Sequence, residues 1–349
     1  MNLVRSLLLP SAPGAFRLWL ALLVVVHHVS RVELGKTPVL VFFALSGFWV
    51  HKVWQSRYRH TYQPWLTFIV SRWWRIAPVM VLGSAITLAM LAAIGDPMLA
   101  DAARMPWRQA FSTVSLLGYA EMAVRPLGPA WSLDVEMQFY LVAPLLVLLV
   151  QRSSAVIALG LSFLMFVAGM AIYPGVVLTS FLPFFVIGMV AAQHDWAPPP
   201  RMAEGAMILA ILLVGAMLLS PWSHSLLGEN GPHWPQVNLL LAVLLLPQAL
   251  VSARSKGGQR DGVWADQSFI VYLMHWPAIY LWRNTAWSGP VTAVIALAGL
   301  AVCVAVVCWV VRVLFDRPLN RARSRWVASR RVPEPDFPGK GDDSQPVFA

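Results

Sequence analysis

Residues 153–172 read Ser-Ser-Ala-Val-Ile-Ala-Leu-Gly-Leu-Ser-Phe-Leu-Met-Phe-Val-Ala-Gly-Met-Ala-Ile, without one charged side chain. At ~1.5 Å rise per residue a helix of that length covers ~30 Å, the thickness of a bilayer's hydrocarbon core. Similar stretches recur on both sides, at roughly 16–34, 37–55, 76–95, 128–150, 176–194, 202–220, 236–252, 264–283 and 290–313. Over all 349 residues, 58% are apolar and 12% charged. The mean hydropathy is +0.64. Soluble domains run near ~45–50% apolar and ~25% charged. A soluble enzyme, a disordered chain and a single-span anchor are all excluded. The expected fold is an all-α polytopic membrane protein, a bundle of about ten transmembrane helices.

The net charge of +10 does not point to nucleic acid, because the basic residues sit in short loops between apolar runs. The segment 51–75 carries Lys52, Arg57, Arg59, Arg72 and Arg75 with no acid, which predicts a cytoplasmic location by the positive-inside rule. Counting spans from there places Arg152, Arg201 and the 254–260 loop on the same side. The tail bearing Arg312, Arg317, Arg321, Arg323, Arg325, Arg330 and Arg331 follows them. Both termini are therefore expected in the cytoplasm. The only cysteines, Cys303 and Cys308, share one apolar run and suggest neither a disulfide framework nor a metal site. Arg5 followed by an apolar run resembles a signal peptide. Arg17 interrupts that run and no small-residue cleavage site follows, so it is read as a retained first span.

Residues 64–75, Pro-Trp-Leu-Thr-Phe-Ile-Val-Ser-Arg-Trp-Trp-Arg, predict a separate interfacial helix with Trp and Arg at headgroup level. From about 332 onward, Pro, Gly and Asp predict a disordered tail. No internal repeat is visible, which weighs against a transporter built from inverted halves.

Polar groups at membrane depth are costly and become functional candidates by default. Helix rise places His28 ~9 Å, Glu136 ~12 Å, Ser46 ~14 Å and His275 ~12 Å below the outer face. Four helices thus bring polar side chains to a similar level. Arg17 sits at the inner end of the first span, and Arg72 and Arg75 lie three apart on one helix face. Guanidinium forks at a membrane mouth suit a phosphate-bearing ligand from the cytosol, although lipid phosphates would anchor them equally well.

Several motifs now carry a resemblance. Arg17 and His28 are separated by ten residues, and Val-Phe-Phe-Ala-Leu-Ser-Gly-Phe occupies 41–48. Ser-Arg-Trp-Trp-Arg-Ile-Ala-Pro follows at 71–78, then Trp-Ser-Leu-Asp-Val-Glu-Met-Gln-Phe-Tyr at 131–140. Ser-Phe-Ile-Val-Tyr-Leu-Met-His-Trp-Pro stands at 268–277 and Phe-Asp-Arg-Pro at 315–318. In this order they resemble acyltransferase family 3, membrane-bound bacterial O-acyltransferases of surface carbohydrates, with an Arg/Lys-X10-His signature. The chain departs from the family pattern at Ser71, where the first arginine of the basic element is expected. Gly14 stands where many members carry an acid, and Asp316 replaces a glutamate. The resemblance covers about 17–318 and implies a membrane acyltransferase domain over 1–318. Residues 319–349 then form a basic, later disordered, cytoplasmic tail.

The resemblance implies transfer of an acyl group, acetyl as the first choice, from acyl-CoA (acetyl-CoA) to a saccharide or lipid-linked glycan hydroxyl. It places the protein in the bacterial inner membrane. An imidazole, with an ordinary pKa of ~6.5, can accept a hydroxyl proton at neutral pH. His28 is the expected general base, while His27 points ~100° away on the helix and reads as structural. Glu136 is expected to orient His28, or else to be a buried carboxylate held by Ser132 or Tyr140. Arg17, Arg72 and Arg75 would contact the donor's phosphates. Ser46 and Trp131 would line the substrate path, with packing as the plainer role for both. His275 and Ser132 are weaker candidates, and Asp134 ranks low. No metal, resident cofactor or nucleic-acid partner is expected. The alternative class is a proton-coupled transporter using His28, Glu136 and His275 as a relay. A third class, a non-catalytic exporter or scaffold, would not need His28.

Overall fold

The computed structural model describes residues 10–30, 32–228, 231–283 and 290–332. The expected disordered stretch beyond 332, and Arg5 with the start of the signal-like run, lie outside them. In chain order the helices are α1 (Pro13–Val29), α2 (Lys36–Ser56), α3 (Pro64–Ile94), α4 (Met98–Ala103), α5 (Pro106–Ser115), α6 (Trp131–Arg152) and α7 (Ala155–Ile172). Then come α8 (Leu182–Gln193), α9 (Pro200–Leu219), α10 (Ser223–Leu227), α11 (Trp234–Arg254), α12 (Asp261–Arg283), α13 (Pro290–Val310) and α14 (Arg317–Ser329). Among the described residues there is no strand, only two isolated bridges, Val32 to Gly228 and Thr61 to Arg331.

Each expected apolar segment falls on a helix. Among the described residues, seven helical stretches are long and apolar enough to cross a membrane: Lys36–His60, Pro64–Ile94, Gly128–Arg152, Ala155–Ile172, Pro200–Leu219, Trp234–Arg254 and Val294–Ser329. α1 and α8 are apolar but shorter, at 17 and 12 residues. α12 is long enough but carries Asp261, Asp266 and His275. The chain is thus an all-helical, multi-pass membrane protein, with seven such stretches among the described residues.

Burial sorts the helices. α7, α9 and α13 turn apolar side chains outward, with Val156 80% and Leu219 90% exposed. In water such faces would associate; hydrocarbon is the solvent that suits them. The interior is formed by α1, α2, α3, α6, α8, α11 and α12. Phe139 of α6 stacks on Phe185 of α8 at 4.1 Å, and Phe43 of α2 stacks on the same ring at 4.7 Å. α2 and α8 cross at very short range. Gly47 lies against the Phe185 backbone and Gly188 against the Ala44 carbonyl, so neither position has room for a side chain.

One expectation is corrected here. Residues 64–75 are not a separate interfacial helix but the first turns of α3, which runs unbroken for 31 residues through Pro78. Propagating a helix costs far less than nucleating a second one, and no turn residue separates the two halves. Likewise, α13 passes through a π-helical turn, Val311–Asp316, straight into α14. α14 docks on the start of α3: Arg330 Nε donates to Thr67 Oγ1 at 2.9 Å, and Arg57 Nη2 donates to the Ser324 carbonyl at 3.2 Å.

α1 and α12 lie side by side and run parallel. The Asp261 carboxylate accepts from Gly14 N (2.9 Å) and Ala15 N (3.1 Å), capping the first turn of α1 from another helix. An equal number of residues further along each helix, ~21 Å by helix rise, the His28 and His275 rings stack at 5.4 Å. A Cβ on Gly14 would collide with the Asp261 carbonyl oxygen. Gly14→Leu should therefore push α1 off α12 at a cost of about 1–3 kcal/mol. The expected readout is a lower thermal midpoint in detergent; an unchanged midpoint would contradict this packing.

Candidate active site

A cavity of about 200 Å³ lies between α1, α2, α3, α6 and α12. Arg17, Ser46, Arg72, Arg75, Glu136 and Ser132, all singled out in the sequence, line it together. These residues come from four helices separated by up to 119 positions, yet converge on one space. Trp49, Tyr140 and Tyr272 line it too and were not anticipated from the sequence. The motifs containing Tyr140 and Tyr272 were visible, but nothing local marks an aromatic residue as cavity-facing.

Glu136 accepts from Ser46 Oγ at 2.8 Å and from Tyr140 Oη at 2.5 Å. The carboxylate is thus held by hydroxyls at the cavity wall through one oxygen, Tyr140 being one of the two partners considered for it. Ser132 turns elsewhere, its hydroxyl 2.7 Å from Tyr272 Oη, which donates to the Pro129 carbonyl at 2.8 Å. Asp134 accepts from Ala120 N (2.9 Å) and Gln138 Nε2 (3.0 Å), a structural role that matches its low ranking.

The arginines divide by partner. Arg75 Nη1 donates to Asp316 at 2.8 Å and Nη2 to Asp266 at 3.3 Å, so its fork is engaged by two acids. The shorter Asp316 side chain thus still reaches the basic element. Arg17 lies 5.5 Å over the Trp49 ring. Arg72 lies over Tyr58 (5.5 Å), Phe68 (5.4 Å) and Tyr140 (5.9 Å), and its buried Nε has no hydrogen-bond partner among the described residues. Aromatic faces stabilise a cation but leave its N–H donors unused. The missing arginine at 71 has a substitute: Arg323 of α14 donates to Ser71 Oγ at 3.2 Å. Asp261, bonded to Gly14 N, supplies a carboxylate beside the position that lacks one.

His28 lies past the cavity. It stacks on His275 and meets Trp276 edge-on at 5.0 Å. His275 is fully buried, with Nδ1 2.7 Å from the Val271 carbonyl. A carbonyl only accepts, so Nδ1 carries the proton and Nε2 is left as a buried acceptor. Tyr272, at the cavity's end, is three residues before His275, or ~4.5 Å along the helix. His27 Nδ1 is 3.0 Å from the Val32 carbonyl, in keeping with a structural role. Trp131 does not line the cavity; it packs on Phe181 (5.6 Å) and Phe43 (6.4 Å). The four residues expected at one depth thus form two pairs, Ser46 with Glu136 and His28 with His275. Among the described residues no group of three or more His, Cys, Asp or Glu side chains could hold a metal.

A cavity among apolar helices, with cations and a held carboxylate lining it and paired imidazoles just beyond, is the candidate active site. The chain belongs to acyltransferase family 3: the family's acyltransferase domain matches residues 12–310. It is an acyltransferase by that membership. It is 25% identical over 296 residues to BcsY of Komagataeibacter xylinus, named as a candidate membrane-bound transacylase, covering 74% of this chain and 69% of that protein. It is 26% identical over 287 residues to the exopolysaccharide production protein ExoZ of Rhizobium meliloti (strain 1021), covering 79% and 81%. No solved structure matches it.

Ser46→Ala and Tyr140→Phe each remove one hydrogen bond to the Glu136 carboxylate and should cost about 1.5–3 kcal/mol. Because the two share one acceptor, the double variant should be non-additive by about 0.5–3 kcal/mol. Thermal denaturation in detergent measures both; strict additivity would contradict a shared carboxylate. Asp316→Ala leaves Arg75 with Asp266 alone and should cost about 3–5 kcal/mol, the scale of a broken buried ion pair. The same thermal assay checks it, and a near-neutral result would contradict the pairing.

Proposed function

We propose that this protein moves an acyl group, most simply acetyl, from cytosolic acyl-CoA to a hydroxyl of an exported or lipid-linked saccharide. The observation carrying this reading is the cavity between α1, α2, α3, α6 and α12, lined by Arg17, Arg72 and Arg75, with His28 stacked on His275 past its Tyr272 end. An acyl-CoA has the same polarity, with phosphates at one end and a thioester at the other end of a flexible arm. Arg17 and Arg72 would hold phosphate oxygens, whereas Arg75, engaged by Asp316 and Asp266, would act mainly by positioning α3. Membrane embedding excludes water, which strengthens each charge contact and suppresses hydrolysis of the thioester.

In the transfer step the acceptor hydroxyl oxygen attacks the thioester carbonyl carbon. His28 takes the hydroxyl proton, the new C–O bond forms and the C–S bond breaks. The proton then passes from the imidazolium to the departing thiolate, which leaves as free CoA. Glu136, fixed by Ser46 and Tyr140, contributes negative charge to the cavity near Arg17 and keeps that cation oriented. ExoZ is named for exopolysaccharide production, which supports a saccharide acceptor. The loop charges support a ten-span topology in the bacterial inner membrane, with α1 and α12 both running outward and both termini cytoplasmic.

Purified protein in liposomes, given radiolabelled acetyl-CoA and an envelope-glycan fraction, tests the reading. His28→Ala should lower label transfer by about 10²-fold or more while the protein remains folded. Undiminished transfer in the variant would remove His28 as the base. Proton-coupled solute movement with no thioester consumed by the wild type would favour the transporter class.

A further inference from the structure

Where α14 docks on the start of α3, three guanidiniums gather round Tyr58, a side chain only 1% exposed. Arg57 Cζ lies 5.9 Å and Arg72 Cζ 5.5 Å from the centre of its ring. The Tyr58 hydroxyl is 2.8 Å from Ser71 Oγ, and Arg323 Nη1 donates to that same Oγ at 3.2 Å. Among the described residues none of the three arginines forms an ion pair, in contrast to Arg75 close by, which forms two. The Nε atoms of Arg72 and Arg323 are both buried without a hydrogen-bond partner among the described residues.

Three like charges held together, partly desolvated and without a counter-charge, oppose folding unless something offsets them. Arg57 is tied down through the Ser324 carbonyl, so the cluster is fixed rather than splayed into solvent. Planar forks with unused N–H groups, from three directions and beside two hydroxyls, match a tetrahedral oxyanion with several acceptor oxygens. A carboxylate offers fewer acceptors and less charge than this cluster supplies.

We propose that Arg57, Arg72 and Arg323, with Tyr58 and Ser71, form a phosphate-binding site that takes the ribose phosphomonoester of the acyl donor. The assignment rests on acyl-CoA being the donor. Arg72 lines the cavity while Arg57 and Arg323 lie beyond it, so an anion here is held farther from His28 than the cavity's own contents. In coenzyme A the ribose 3′-phosphate is the phosphate farthest from the thioester. Arg323 lies outside residues 12–310, the part matched by the family, so α14 becomes part of the donor site rather than a passive tail.

The test is calorimetric titration of the full chain in nanodiscs of neutral lipid with coenzyme A, dephospho-coenzyme A lacking the 3′-phosphate, and inorganic phosphate. Arg323→Gln should weaken coenzyme A binding by about tenfold, equivalent to about 1.4 kcal/mol, and leave dephospho-coenzyme A unaffected. Arg323→Lys should fall between. Equal weakening of both ligands, or of neither, overturns the proposal, as does an Arg323 effect that vanishes in nanodiscs of anionic lipid because headgroup phosphates already fill the site. If the wild type binds no coenzyme A, the donor reading fails. Arg323-dependent binding of inorganic phosphate would then still uphold a phosphate site, and its absence would overturn that too. Should Arg323→Gln not fold, Arg57→Gln is held to the same criteria.

Discussion

The contact on which the rest depends is the capping of α1 by Asp261. The first N–H groups of any helix lack partners, and the N-terminal end of the dipole is positive. A carboxylate borrowed from α12 satisfies both conditions at Gly14 and Ala15, while the bare Gly14 lets the backbones close together. Once that end is fixed, two parallel helices of equal rise stay in step. Arg17 must lie near Ala265, and His28 must meet His275. The spacing between Arg17 and the His28 imidazole is thereby built into helix geometry and does not depend on any loop.

The electrostatics follow a consistent division. Each charge in this low-dielectric interior must be compensated or kept for a ligand. Arg75 is compensated by Asp316 and Asp266, and Glu136 by two hydroxyls. Arg17 and Arg72 lie over aromatic faces, which stabilise a cation without taking up its N–H donors, and Glu136 adds negative charge near Arg17. The proposed anion site has this appearance. The Ser132–Tyr272 hydroxyl pair lines the cavity at the end toward the imidazoles.

Much of this was legible in the sequence because membrane burial writes strong local signals. Each apolar run falls on a helix, and the depth count places Ser46, Glu136, His28 and His275 at one level, where the structure pairs Ser46 with Glu136 and His28 with His275. What the sequence did not show were partners set by packing between distant segments. The 64–75 stretch looked interfacial because Trp and Arg suit headgroups, yet it continues into α3 because nothing interrupts the helix. Depth places Ser46, Glu136, His28 and His275 at one level but says nothing about which helix face meets which, so the Ser46–Glu136 bond is set by packing alone. Trp131 fell away from the cavity for the same reason. The departure at Ser71 could be read as a missing contact; only the docking of α14 reveals Arg323 beside it.

In the proposed reaction the cavity takes its donor from the side of Arg17 and delivers the acyl group toward His28, which lies past it. Sealed vesicles of known orientation, with radiolabelled acetyl-CoA confined to the cytoplasmic side and acceptor glycan confined to the opposite side, test it most directly. The expected result is free CoA on the donor side and labelled glycan on the other. Transfer only when donor and acceptor share one compartment would contradict it.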